Sequence, residues 1–147
     1  MRTLVTGAAV FIGCATCTRL LAGGADVVGL DAITDSYDPA SKRANLVPLL
    51  EHDAFRLVEA ELTTVPLGPL LDGVDTLIHL AALPGVRAWW GSHFADYERS
   101  KVLATQLLLE ACRDAGLWRV SYASRSSVYG QAERFPAIED ILGKPVP

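Results

Sequence analysis

Hydrophobic and polar positions along this chain follow two alternating rhythms. Short apolar runs of strand length occur at RTLVT (2–6), DVVGLD (26–31), FRLVEA (55–60), VDTLIHLAA (74–82, with the loop that follows) and WRVSYAS (118–124). Between them lie longer stretches with helical spacing. FIGCATCTRLLAGG (11–24) reads as a helix stopped by Gly23 and Gly24. DPASKRANLVPLL (38–50) has Pro39 suited to its first turn, whereas Pro48 is expected to end or bend the helix early. A short, weak helix is expected around 66–71, among Pro66, Gly68 and Pro69. HFADYERSKVLATQLLLEACRDAG (93–116) is the longest helical pattern, and 131–147 is Pro-rich and irregular. Strands alternating with helices predict an α/β fold: a doubly wound parallel sheet of about five strands in order 3-2-1-4-5, in three layers. The sheet domain is expected over 1–130, with 131–147 as a tail.

Composition narrows the function classes. With 147 residues the chain has room for one domain with a real core. Half its residues are hydrophobic and its mean hydropathy is +0.27, which points to fully buried strands, a partner-covered apolar face, or both. A net charge of −4, with no face rich in Lys and Arg, argues against nucleic acid. The apolar runs are too short to span a membrane. Arg2 leads straight into a strand-like run, so no signal peptide is expected. Three cysteines, an odd count, fit a reducing cytoplasm.

The candidate chemistry lies where the strand order reverses, at the carboxyl ends of strands 1 and 4. In TLVTGAAVFIGCATC (3–17), Gly7 provides a tight turn and Gly13 lets the next helix pack closely on the sheet. Amides at that helix start would face a diphosphate. Asp31 ends strand 2, where a carboxylate accepts from ribose hydroxyls and repels a 2′-phosphate, favouring NAD over NADP. This strand-turn-helix arrangement is Rossmann-like.

TGAAVFIG, VVGLD, IHLAALPGVR, VLATQLLLEACRDAG and YASRSSVYG occur in order and at familiar spacing. Together they resemble the amino-terminal half of the extended short-chain dehydrogenase/reductases, in particular the NAD-dependent nucleotide-sugar epimerases and dehydratases. DSYDPASKR and PGVR resemble UDP-glucuronate 4-epimerases. The resemblance covers 2–147. It implies an NAD site lined by Gly7, Phe11, Ile12, Gly13, Asp31, Glu61, Leu62, Leu80, Ala81 and Ala82. Glu61-Leu62 stands at an adenine-side Asp-Leu pair.

Several positions depart from the family pattern. Val10 replaces the middle glycine, and its isopropyl group is expected to occupy space beside the diphosphate. One lost charge-assisted contact costs roughly 1.5–3 kcal/mol, about 10- to 100-fold in affinity. Lys101 replaces an asparagine. Arg125 stands at the catalytic Ser/Thr position, beside Ser124, Ser126 and Ser127. The family's Tyr-x-x-x-Lys helix and substrate lobe would follow Pro147, and Tyr129 is no substitute for that tyrosine. The resulting expectation is a truncated, redox-inactive relative that keeps a small-molecule crevice and is repurposed for non-redox cyclisation or isomerisation. The alternatives are an epimerase/dehydratase fragment completed by another chain, or a scaffold pseudoenzyme.

Catalytic candidates are Arg125, Ser126, Tyr129 and His79, the last also readable as a satisfied structural histidine. Arg87, Trp89, Trp90 and Lys101 are substrate-binding candidates. The adjacent tryptophans either stack on a ligand or cover core. Lys101 and Arg125 either form a cationic crevice, or Arg125 folds back on an acid and plugs it. His93 and Tyr97 face the crevice or begin a solvated helix. Cys14 and Cys17 form a C-x-x-C at a helix start, readable as redox-active or as packing. No metal set is evident. Val102, Leu103, Leu107, Leu108 and Leu109 cover more than one helix face, so a homodimer or tight hetero-partner is expected through 93–116.

Overall fold

A computed structural model describes residues 1–83, 91–129 and Pro136. The elements are β1 (Arg2–Thr6), α1 (Phe11–Ala22), β2 (Asp26–Asp31), α2 (Pro39–Leu50), β3 (Phe55–Glu59), α3 (Leu67–Leu71) and β4 (Thr76–His79). A continuous helical run follows, made of α4 (Phe94–Glu98), a π-turn (Arg99–Leu103) and α5 (Ala104–Asp114), and then β5 (Val120–Tyr122). All strand pairs are parallel and the sheet order is β3-β2-β1-β4-β5.

Period-two alternation divides the core into two layers. Leu4, Val28, Leu30 and Leu77 face α3 and α5, where Leu70, Leu71, Ala104, Leu108 and Cys112 meet them. Val5 and Val27 face α1 and α2, where Cys17, Leu21, Leu46 and Leu49 close over them. With both faces covered, the central strands carry near-continuous apolar runs, as parallel sheets require.

The helix starts follow local chemistry. The Asp38 carboxylate caps α2, accepting from the Ala40 and Ser41 amides at 3.1 Å each and from the Ser41 hydroxyl at 2.8 Å. Those bonds hold its pKa below the usual range, with the Ser41 hydroxyl the largest cause.

Three expectations need correction. Pro48 does not end α2 early, for the helix runs on to Leu50. Pro48 lies in the last turn, so its missing donor removes one bond near the end of the ladder. The pattern read as one helix over 93–116 contains the Arg99–Leu103 π-turn, which rephases its two α segments. It leaves Leu108 fully buried while Val102, Leu103 and Leu109 stay exposed. β5 is also shorter than the pattern suggests and forms the open edge of the sheet among the described residues.

Candidate functional site

The loop after β1 enters the crevice under tight steric control. Gly7 has φ +75°, and its amide donates to the Leu30 carbonyl at 2.7 Å. A Cβ there would lie 2.8 Å from the Ala81 nitrogen, because the chain leaving β4 passes directly over the turn. A Cβ on Gly13 would collide with the Gly7 carbonyl oxygen. Gly29, which the sequence pattern did not single out, makes room for side chains instead: a Cβ would stand 2.8 Å from both Ala8 Cβ and Phe55 Cζ. The signal was a glycine inside an apolar strand, which marks a place where neighbours crowd the backbone.

Val10 is the N-cap of α1, with φ −93° and ψ 169°. Any L-residue adopts that backbone, so valine brings no strain; only the room before its side chain is at stake. The first helical bond joins the Cys14 amide to the Val10 carbonyl at 2.8 Å. The amides of Phe11, Ile12 and Gly13 have no helical acceptor, and no acid sits in the first turn. Phe11 and Ile12 are exposed. The α1 terminus therefore favours an anion.

Asp31 is buried, and its two oxygens accept from the Ala9 amide at 3.0 Å and the Ile33 amide at 2.8 Å. It shapes both crevice loops and holds Ile33 at φ 45°. Each oxygen retains a lone pair for a further donor. Burial, and then the Asp31 charge, push the Tyr37 hydroxyl pKa up. Lys42 was missed in the sequence because its α2 position reads as a solvated face. It is 2 % exposed, and its Nζ donates to the Thr34 carbonyl at 2.6 Å and to the Thr34 and Ser36 hydroxyls. The ammonium also lies 4.8 Å from the Tyr37 ring centroid.

Glu61 lies beyond β3 and accepts from the Thr63 hydroxyl at 2.6 Å and from Arg99 Nε at 3.0 Å. These contacts lower its pKa, Thr63 most. Its neighbour Leu62 is buried in the α3/α5 core. Leu80 and Ala81 reach the crevice through their backbones, both amides donating to Thr6 Oγ1 at 3.2 Å, and Ala82 is exposed.

His79 is held at both ring nitrogens. Its Nδ1 lies 2.7 Å from Thr6 Oγ1 and its Nε2 3.1 Å from Thr105 Oγ1. Thr6 Oγ1 already accepts two amides, so its one proton goes to Nδ1. The ring is then the Nε2–H tautomer, donating to Thr105. Burial lowers its pKa, which favours the neutral ring.

The remaining candidates are dispersed. Lys101 is half-buried in the π-turn, 4.3 Å above the Tyr97 ring. Tyr97 also stacks on Phe94, and the exposed His93 lies 4.0 Å from Asp96, the arrangement of a solvated helix start. Arg125 is exposed and has no acidic partner among the described residues. Ser126 and Tyr129 bound a 3-10 turn in which Tyr129 is half-buried; the Ser126 side chain lies outside the described residues. Arg87, Trp89 and Trp90 also lie outside them. The C-x-x-C is packing: Cys17 is fully buried with its thiol pushed up to about 12, mainly by burial, and Cys14 Sγ donates to the Asn45 carbonyl. No metal-binding group of His, Cys, Asp or Glu occurs among the described residues. None of the described helices is long and apolar enough to cross a membrane.

Residues 3–147 match the NAD dependent epimerase/dehydratase family. The chain belongs to that family. Among its epimerase relatives, it is 43% identical over 134 residues to an uncharacterized UDP-glucose epimerase of Bacillus subtilis, covering 90% of this chain and 42% of that protein. It is 40% identical to a UDP-glucose 4-epimerase of Mycolicibacterium smegmatis, covering 99% of this chain and 45% of that protein. A UDP-glucuronic acid 4-epimerase of Bacillus cereus, solved with UDP-glucuronic acid and NAD, superposes with a TM-score of 0.87 at 38% identity. That match covers 99% of this chain and 46% of the other. The chain thus spans a little under half the length of these epimerase/dehydratase relatives.

Proposed function

We propose that this chain forms the NAD-binding half of a nucleotide-sugar epimerase or dehydratase. The observation that carries the reading is the open first turn of α1, set between the Gly7 turn and the buried Asp31 carboxylate. The amides of Phe11, Ile12 and Gly13 would hold the diphosphate, and Asp31 would accept from a ribose hydroxyl while repelling a 2′-phosphate. The Leu80–Ala81 backbone, fixed by Thr6, would bound the nicotinamide side. NAD, when bound, supplies the hydride acceptor for a sugar carbinol. Substrate by this reading is a UDP-sugar, as in the similar proteins.

Fully redox-inactive repurposing toward cyclisation or isomerisation has one observation on its side, the exposed Arg125 at the Ser/Thr position. That observation fits equally a half whose catalytic groups come from elsewhere. The reading also places a second chain over Val102, Leu103 and Leu109, and the protein in a reducing cytoplasm, in keeping with three free thiols.

Calorimetric titration with NAD tests the cofactor reading. The native chain is expected to bind in the micromolar range, and Val10→Gly to tighten binding by roughly 10-fold or more. Absence of NAD binding in both proteins would overturn it.

A further inference from the structure

The two peptide units that flank Ala9, in the loop before α1, are each held by a side chain. The Ala9 amide donates to Asp31 Oδ2 at 3.0 Å, and the Ala9 carbonyl accepts from Asn45 Nδ2 at 3.0 Å. Asn45 sits half-buried on α2, and its own backbone carbonyl accepts from Cys14 Sγ at 3.2 Å. One side chain on α2 thus holds the loop, and the same residue's backbone meets the first turn of α1.

Ala9 stands four residues before Gly13. In a helix begun one residue earlier, its carbonyl would take the Gly13 amide. No such bond forms; the first helical bond is from Cys14 to Val10. Asn45 satisfies the Ala9 carbonyl from the side, so that oxygen neither needs the Gly13 amide nor turns its negative end toward the crevice. Asp31 fixes the peptide on the other side of the Ala9 Cα, through the Ala9 amide.

We propose that Asn45 is a positioning residue for the diphosphate cradle: by taking the Ala9 carbonyl, it sets the start of α1 at Phe11 and leaves the Gly13 amide open to an anion. The proposal rests on the NAD reading above, and two readouts separate their failures. In Asn45→Ala, NAD affinity by calorimetry is expected to fall about tenfold. Without ligand, the Gly13 amide is expected to exchange with solvent more slowly than in the parent, because the freed Ala9 carbonyl now accepts it. Asn45→Asp, of equal size and unable to donate as a carboxylate, replaces the alanine variant under the affinity readout if that variant does not fold. Parental NAD affinity in a folded variant overturns the proposal. If the parent itself binds no NAD, the cofactor reading fails, and Gly13 exchange in Asn45→Ala still decides this one: unchanged exchange overturns it.

Discussion

Thr6→Val replaces a fully buried hydroxyl with a methyl group of nearly the same shape. Thr6 Oγ1 makes three contacts: 2.7 Å to His79 Nδ1 and 3.2 Å to each of the Leu80 and Ala81 amides. The Leu80 amide keeps a second acceptor, the Thr6 carbonyl at 3.1 Å. Two groups are therefore orphaned, the Ala81 amide and His79 Nδ1. At about 1–3 kcal/mol for each buried unsatisfied group, with partial hydration of the half-buried Ala81, the cost is roughly 2–4 kcal/mol. For a chain of this length that lowers Tm by roughly 6–14 °C. Thermal unfolding followed by circular dichroism measures it. Nitrogen-15 spectra of the imidazole supply a second observable, since the parent should hold the Nε2–H tautomer. A variant melting within about 2 °C of the parent, or a parent ring protonated on Nδ1, would refute the reasoning.

Two further outcomes follow from the same architecture. Burial lowers the folded pKa of His79 beneath its ordinary 6.5, so the unfolded chain binds the extra proton first. Stability from this group is then complete above about pH 6.5 and declines as pH falls toward the lowered folded value; His79→Gln should flatten that part of the profile in denaturant melts. Light scattering at micromolar concentration should give twice the chain mass, and Leu109→Glu together with Val102→Glu should return it to one; a monodisperse parent monomer would sink the second-chain reading.

The sheet was legible because its signals are local and redundant. RTLVT, DVVGLD and TLIH carry apolar residues on both faces, as a covered parallel sheet requires, and Gly7, Gly13 and Asp31 sit at or just beyond the carboxyl ends of its strands. The cofactor loop was legible as a position but not as a mechanism. Asn45 and Lys42 lie on α2, whose pattern marks them as surface, yet tertiary contacts turn one onto Ala9 and bury the other beside Thr34. No spacing rule reaches from 45 to 9. The π-turn was invisible for a related reason: RSKVL has ordinary helix formers, and the extra residue is set by what packs on either side. Leu62 shows what a family position leaves unsaid: its side chain fills the core, so any contact with a ligand there falls to its backbone.

The π-turn leaves a trace that an insertion or deletion would expose. Each residue advances a helix by about 100°, so the widened turn absorbs roughly one residue's worth of rotation. Ala104, Leu108 and Cys112 hold their phase against the sheet, while Arg99 keeps its own toward Glu61. Loss of a single residue between 99 and 103 would restore a regular helix and swing the Phe94–Glu98 turn to a different side, leaving the core as it was. The segment thus works as a phase adjuster: the turn that precedes it can be re-aimed by a change in length without rebuilding the helix that packs on the sheet.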